Sequence, residues 1–218
     1  MANTTQTTPT SWARPGHPLA ARLRNGNLKL LIKMKKLILL PLICICLSSY
    51  GQKISVTPNG LRDSNDVEKT FVVIPSEGKT AKDLFENAVK YINKVYKNPE
   101  FVIKAKIDGE YLKFDTHVSN FLVVNNSGVK IHIDANYTTE LSFKDGKVKY
   151  EIIDLDMYSQ NGGYKVLFTG GAFDGYPIYN KKGDLKRQET KNEIEIYFNA
   201  QILSISNAIQ GNDKKDNW

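Results

Sequence analysis

From Thr70 onward the apolar positions fall into two periods. Thr70–Pro75 is a short β-branched and aromatic run stopped by proline, which reads as a strand. Over Thr80–Asn98 the residues Ala81, Leu84, Phe85, Ala88, Ile92, Val95 and Tyr96 recur every three or four positions, with Lys82, Glu86, Lys90, Asn93 and Lys97 between them. That spacing predicts an amphipathic helix, with Thr80 and Asp83 as its capping box and Pro99 just past its end.

The period then becomes two. Ile103, Ala105 and Ile107 alternate with Lys104 and Lys106, and Asp108-Gly109 suits a two-residue hairpin that sets Ala105 opposite Leu112 and Ile103 opposite Phe114. Asn125–Gly128 makes the next turn, setting Val124 against Val129 and Leu122 against Ile131. Val129–Phe143 alternates most regularly, and Asp145-Gly146 turns it back to place Phe143 opposite Val148 and Leu141 opposite Tyr150. Four antiparallel strands therefore share one apolar face, which helices must cover. Gln160–Asp184 reads as a loop region with six of the chain's fifteen glycines, within which Tyr164–Thr169 is a candidate short strand. From about Lys191, Ile194, Phe198, Ile202, Ile205 and Ile209 predict a second helix ending at Gly211.

Upstream the pattern changes. Lys35 and Lys36 precede an eleven-residue apolar run, Leu37–Leu47, and Ser49-Tyr50-Gly51 supplies small residues at the −3 and −1 positions of a cleavage before Gln52. The run spans only about 16 Å as a helix, too little for a permanent membrane span. The expectation is a signal peptide, 34–51, starting at Met34 and directing export to the periplasm, the cell envelope or the exterior. Ile43 and Ile45 precede Cys44 and Cys46, where lipidation would need a small residue. Residues 1–33 read as an over-extended, disordered N-terminus, 52–69 as a flexible lead-in, 70–211 as one domain and 212–218 as a polar tail.

Charge changes meaning along the chain. The net charge of +7 belongs to residues 1–51, which hold seven basic groups and no acid; residues 52–218 carry 23 of each. A neutral exported domain is not expected to bind nucleic acid. Both cysteines lie in the signal segment, so the domain has no disulfide, Cys nucleophile or Cys-ligated zinc.

The order of elements is similar to a TATA-box-binding-protein-like (TBP-like) fold. The signal peptide, Phe71–Pro75 leading into Lys82–Phe85, the Lys144–Tyr150 turn and Lys181-Lys182-Gly183 before a closing helix resemble a family of exported bacterial proteins carrying a domain of unknown function with that fold. The resemblance covers roughly 70–209. It implies an α+β domain, β-α-β-β-β-β-α, with a meander sheet covered on one face by two helices. It implies no activity and no catalytic residues.

The local motifs point to little chemistry. Gly78-Lys79-Thr80 lacks the glycine of a phosphate loop, since Val73 stands there, and reads as a helix cap. His117 and His132 are the only histidines after the signal. The expected register pairs them with Asn136 and Phe121, about 13 Å apart along the strand, too far to share a metal. They read as solvated surface residues. Asp154-Leu155-Asp156 lacks the rest of a calcium loop, with Tyr158 and Ser159 where ligand and glycine belong. Ser119, Ser127 and Ser159 have no Gly-x-Ser-x-Gly context.

No metal, cofactor or catalytic residue is therefore assigned. The expected function is a non-catalytic envelope binding module for an unknown protein or ligand; the alternative is an exported hydrolase whose carboxylates converge only on folding. Tyr164, Phe173 and Tyr176, on the glycine-rich segment, are the candidate binding residues, with at least one ring exposed.

Overall fold

The computed structural model describes residues 52–171 and 173–211. The expected extension, signal peptide and polar tail lie outside those residues. The described chain runs β1 (Ile54–Thr57), β2 (Gly60–Asp63), β3 (Phe71–Pro75), α1 (Ala81–Val95), α2 (Pro99–Val102), β4 (Ile103–Ile107), β5 (Tyr111–Asn126), β6 (Val129–Lys144), β7 (Lys147–Ser159), β8 (Lys165–Gly170), β9 (Tyr176–Asn180) and α3 (Gln188–Gln210). The architecture is α+β. A seven-stranded sheet has the order β4-β5-β6-β7-β8-β9, and β3 also pairs with β7. β3 takes the Lys147–Glu151 end of β7 and β8 takes the Met157–Tyr158 end, so the two divide one edge of that strand between them.

The expected helices are present. Thr80 caps α1, its hydroxyl accepting the Asp83 amide at 3.1 Å and donating to the Asp83 carboxylate at 2.8 Å. Leu84, Phe85, Ala88 and Ile92 of α1 are buried, as are Ile194, Phe198, Ile202, Ile205 and Ile209 of α3. Both helices lie on the sheet face that carries Leu112, Phe114, Ile133, Tyr137, Leu141 and Tyr150. Each such side chain contributes roughly 1.5–3 kcal/mol by leaving water. Phe85 meets Phe143 edge-on at 5.6 Å, and the two helices are joined where Asn87 Nδ2 donates to the Ile209 carbonyl at 3.0 Å.

Three parts differ from the sequence reading. Residues 54–63 form a hairpin, where a flexible lead-in was expected. Ile54, Val56 and Leu61 are buried, and the hairpin is held from outside by α3: the Glu195 carboxylate accepts the Ser55 hydroxyl at 2.9 Å and the Val56 amide at 2.8 Å. Its partner lies about 140 residues away, which no local pattern could announce. The Asp108-Gly109 turn is one residue longer than expected, since Ile107 pairs with Tyr111; Ala105 then faces Lys113, and an irregularity restores the expected Ile103–Phe114 pair.

The β5–β6 turn is shorter than expected. Ser127 and Gly128 form it alone, both with positive φ (53° and 86°), as a tight right-twisted hairpin requires. Every pair near the turn is thereby shifted, with Leu122 opposite Ile133 and His132 opposite Val123. A bulge then absorbs the shift: between the pairs Val118–Ala135 and Leu122–Ile133, three residues of β5 oppose Asp134 alone. His117 consequently faces Asn136, as the sequence reading had it.

Candidate functional site

The segment read as a glycine-rich loop carries two strands: β8, where the sequence reading had a short strand, and β9, which was not expected. β8 and β9 run parallel, Val166 beside Tyr176 and Gly170 beside Asn180. Parallel neighbours ordinarily need a crossover of a dozen or more residues; here five, 171–175, return the chain. Gly175 makes the approach possible. Its φ is +132°, and a Cβ there would lie 2.6 Å from the Lys165 carbonyl oxygen. Asp174 pins the link, accepting the Gly171 amide at 2.6 Å and lying 3.4 Å from Lys181 Nζ. Those two partners, the amide first, hold its carboxyl below the usual aspartate value.

The three candidate binding residues end up in different surroundings. Phe173, at the tip of the link, is fully exposed (102%). Tyr164 is half-buried, its ring 6.2 Å from that of Tyr176, and burial pushes its phenol up. Tyr176 is buried, with the Arg187 guanidinium stacked 4.4 Å from its ring centroid.

Phe173 and Tyr164 line an open cleft of 920 Å³ that Lys165, Lys181, Lys182, Lys186 and Arg187 also line, against one acid, Asp174. Lys165 is paired with Asp156 at 2.9 Å and Lys181 with Asp174. Among the described residues the Lys182 and Lys186 ammonium groups have no partner, so the wall carries uncompensated positive charge. Four of the five bases stand in the sequence between residues 181 and 187, where the sequence reading used Lys181-Lys182-Gly183 only for the family resemblance. Their gathering depends on the parallel β8–β9 pair.

The other candidates stay apart. Asp156 is engaged with Lys165, while Asp154 is exposed. Among the described residues no group of three or more His, Cys, Asp or Glu side chains is placed to hold a metal ion. No described helix is long and apolar enough to cross a membrane.

No family model and no curated protein matches the chain. Two solved structures are similar to it. One is a DUF4468 family protein from Bacteroides ovatus, 13% identical, with a TM-score of 0.45 over 66% of this chain and 87% of that one. The other is a TBP-like protein from Parabacteroides distasonis, 14% identical, with a TM-score of 0.41 over 62% of this chain and 90% of that one. Their descriptions carry the two labels of the sequence resemblance, a domain of unknown function and a TBP-like fold. At these identities and scores the likeness fixes no site and no activity.

Proposed function

We propose that the protein is an exported binding module of the cell envelope, and that it holds an acidic envelope component in the cleft between the Phe173 link and the Lys181–Arg187 wall. Export rests on the Met34–Gly51 pattern. The binding role rests on one observation above the rest: a fully exposed phenylalanine stands at the mouth of a cleft with five basic side chains and one acidic one. The apolar ring offers contact area, while the unpaired ammonium groups of Lys182 and Lys186 offer charge to a carboxylate- or phosphate-bearing ligand.

Titration of the full chain against an acidic polysaccharide tests the reading. Phe173→Ser and the pair Lys182→Glu with Lys186→Glu should each weaken binding roughly tenfold, ~1.4 kcal/mol, with unchanged urea midpoints. Tyr176→Ser is unsuitable because that ring is part of the core. Binding that ignores both variants would remove the cleft from the account.

A further inference from the structure

On the uncovered face of the sheet, Ser119, His117 and Asn136 form a continuous hydrogen-bonded row. Ser119 Oγ lies 3.1 Å from His117 Nε2, and His117 Nδ1 lies 2.8 Å from Asn136 Oδ1. Asn136 Nδ2 donates to the Tyr158 hydroxyl at 2.9 Å, and the amide oxygen faces the imidazole. An oxygen facing Nδ1 requires a proton on Nδ1. In the neutral ring Nε2 is then the acceptor, and the Ser119 hydroxyl is the group that donates to it. With the Asn136 oxygen on Nδ1, the row runs from Asn136 to Ser119 in the polarity a nucleophilic serine needs: a base within reach, and a third group holding that base in the right tautomer.

The backbone beneath the row is built to present it. His117 and Ser119 are two residues apart on β5 and share the outer face, and Asn136 is the cross-strand partner of His117. Ser119 opens the bulge that absorbs the register shift. The next residue, Asn120, has φ +54°, and its amide is taken up by the buried Asp134 carboxylate at 2.8 Å. A second irregularity, in the β6–β7 pairing, brings Asp154 to φ +53° close to the Asn136–Asp156 pair. Three non-glycine residues among those described have positive φ, and two of them stand in these adjacent irregularities. Such conformations persist where the surroundings enforce them, and they collect at functional sites. Asn120 Oδ1 is occupied by His132 Nδ1 at 2.9 Å, while its Nδ2 has no partner among the described residues and is a donor on hand beside the serine.

The geometry points to Ser119 as an activated nucleophile, with His117 as its general base and Asn136 as the positioning residue, acting on short-chain carboxylic esters. Ser119 Oγ bonds to the ester carbonyl carbon as its proton passes to His117 Nε2. The bond to the alcohol oxygen then breaks, and the alcohol leaves with that proton. Water adds to the acyl-serine carbon and gives a proton to Nε2; the carboxylic acid departs as Ser119 Oγ recovers it. An ester is specified rather than an amide because the row is exposed. Water weakens every electrostatic contribution there, and an alkoxide leaves with less assistance than an amine. The open face also admits an ester carried on an extended polymer. This activity goes beyond the binding role proposed above and does not depend on it.

A fluorophosphonate probe, whose phosphorus is captured by a nucleophilic serine with loss of fluoride, tests the assignment on the full chain by intact mass and peptide mapping. Ser119 should be modified, and at least tenfold faster than Ser127, an exposed turn serine with no histidine beside it. His117→Gln should slow modification at least tenfold. Asn136→Leu should slow it too, whereas Asn136→Asp, which still accepts the Nδ1 proton, should restore it. Hydrolysis of p-nitrophenyl acetate should follow the same order and be lost in Ser119→Ala. All these side chains are exposed, so urea midpoints should stay together. Equal modification of Ser119 and Ser127, or ester hydrolysis unchanged in Ser119→Ala, would overturn the assignment.

Discussion

Gly175 faces the Lys165 carbonyl oxygen with no room for a side chain: a Cβ would sit 2.6 Å from that oxygen, on a backbone whose φ is already +132°. The contact couples the start of β8 to the approach into β9. Gly175→Ala should therefore cost more than about 2 kcal/mol, from strain and displaced backbone together. Gly163 has no heavy atom within 4 Å of a built Cβ, and Gly163→Ala should change stability by less than about 0.5 kcal/mol. Paired urea melts read the difference, and equal losses would mean that the short parallel crossover is wrong.

The hairpin at 54–63 should behave as part of the domain. Asn199 serves both backbone groups of Ile54, its Oδ1 accepting the amide at 2.8 Å and its Nδ2 donating to the carbonyl at 3.1 Å. Asn199→Ala leaves both partly buried groups without that partner and should cost about 1–3 kcal/mol. Hydrogen exchange at the Ile54 amide should accelerate in that variant. Exchange that is already fast in the parent chain would mean the hairpin is not docked.

Acid should loosen the same contact. Burial opposes ionisation of Glu195, but the Lys191 ammonium, the Val56 amide and the Ser55 hydroxyl outweigh it and hold the carboxyl below the ordinary glutamate value of 4.5. A depressed folded-state pKa stabilises the fold above the unfolded value, and the contribution disappears as pH falls through the folded one. Stability should thus fall as pH drops below 4.5, and Glu195→Gln should be less stable at neutral pH with a flatter acid limb. A variant whose acid limb matched the parent would exclude Glu195 as a source of that dependence.

What the sequence revealed followed from whether the pattern was local. α1 and α3 carry their apolar stripes within themselves, and Asp145-Gly146 fixes its own register, so Phe143 meets Val148 and Leu141 meets Tyr150 as expected. At the β5–β6 turn, a two-residue slip leaves every side chain on its original face, and alternation cannot detect it. The bulge at Ser119–Phe121 is equally silent, because it corrects a slip that was not visible. For this reason His117 was correctly placed opposite Asn136, yet its bond to Ser119 was not foreseen. The cleft was half legible: Phe173 and the basic run are both in the sequence, but only the glycine-dependent return from β8 to β9 brings them together.

The docking of β1 and β2 on α3 also sets an order of events. Ile54 and Asn199 are 145 positions apart, so that contact closes a loop of almost the whole domain. Loop closure of that span is entropically costly and slow, and on a ribosome it must wait until the last helix has emerged. The first strand made is therefore the last to settle. Until then Ile54, Val56 and Leu61 lack the cover that α3 supplies, and their burial is completed only at the end of synthesis.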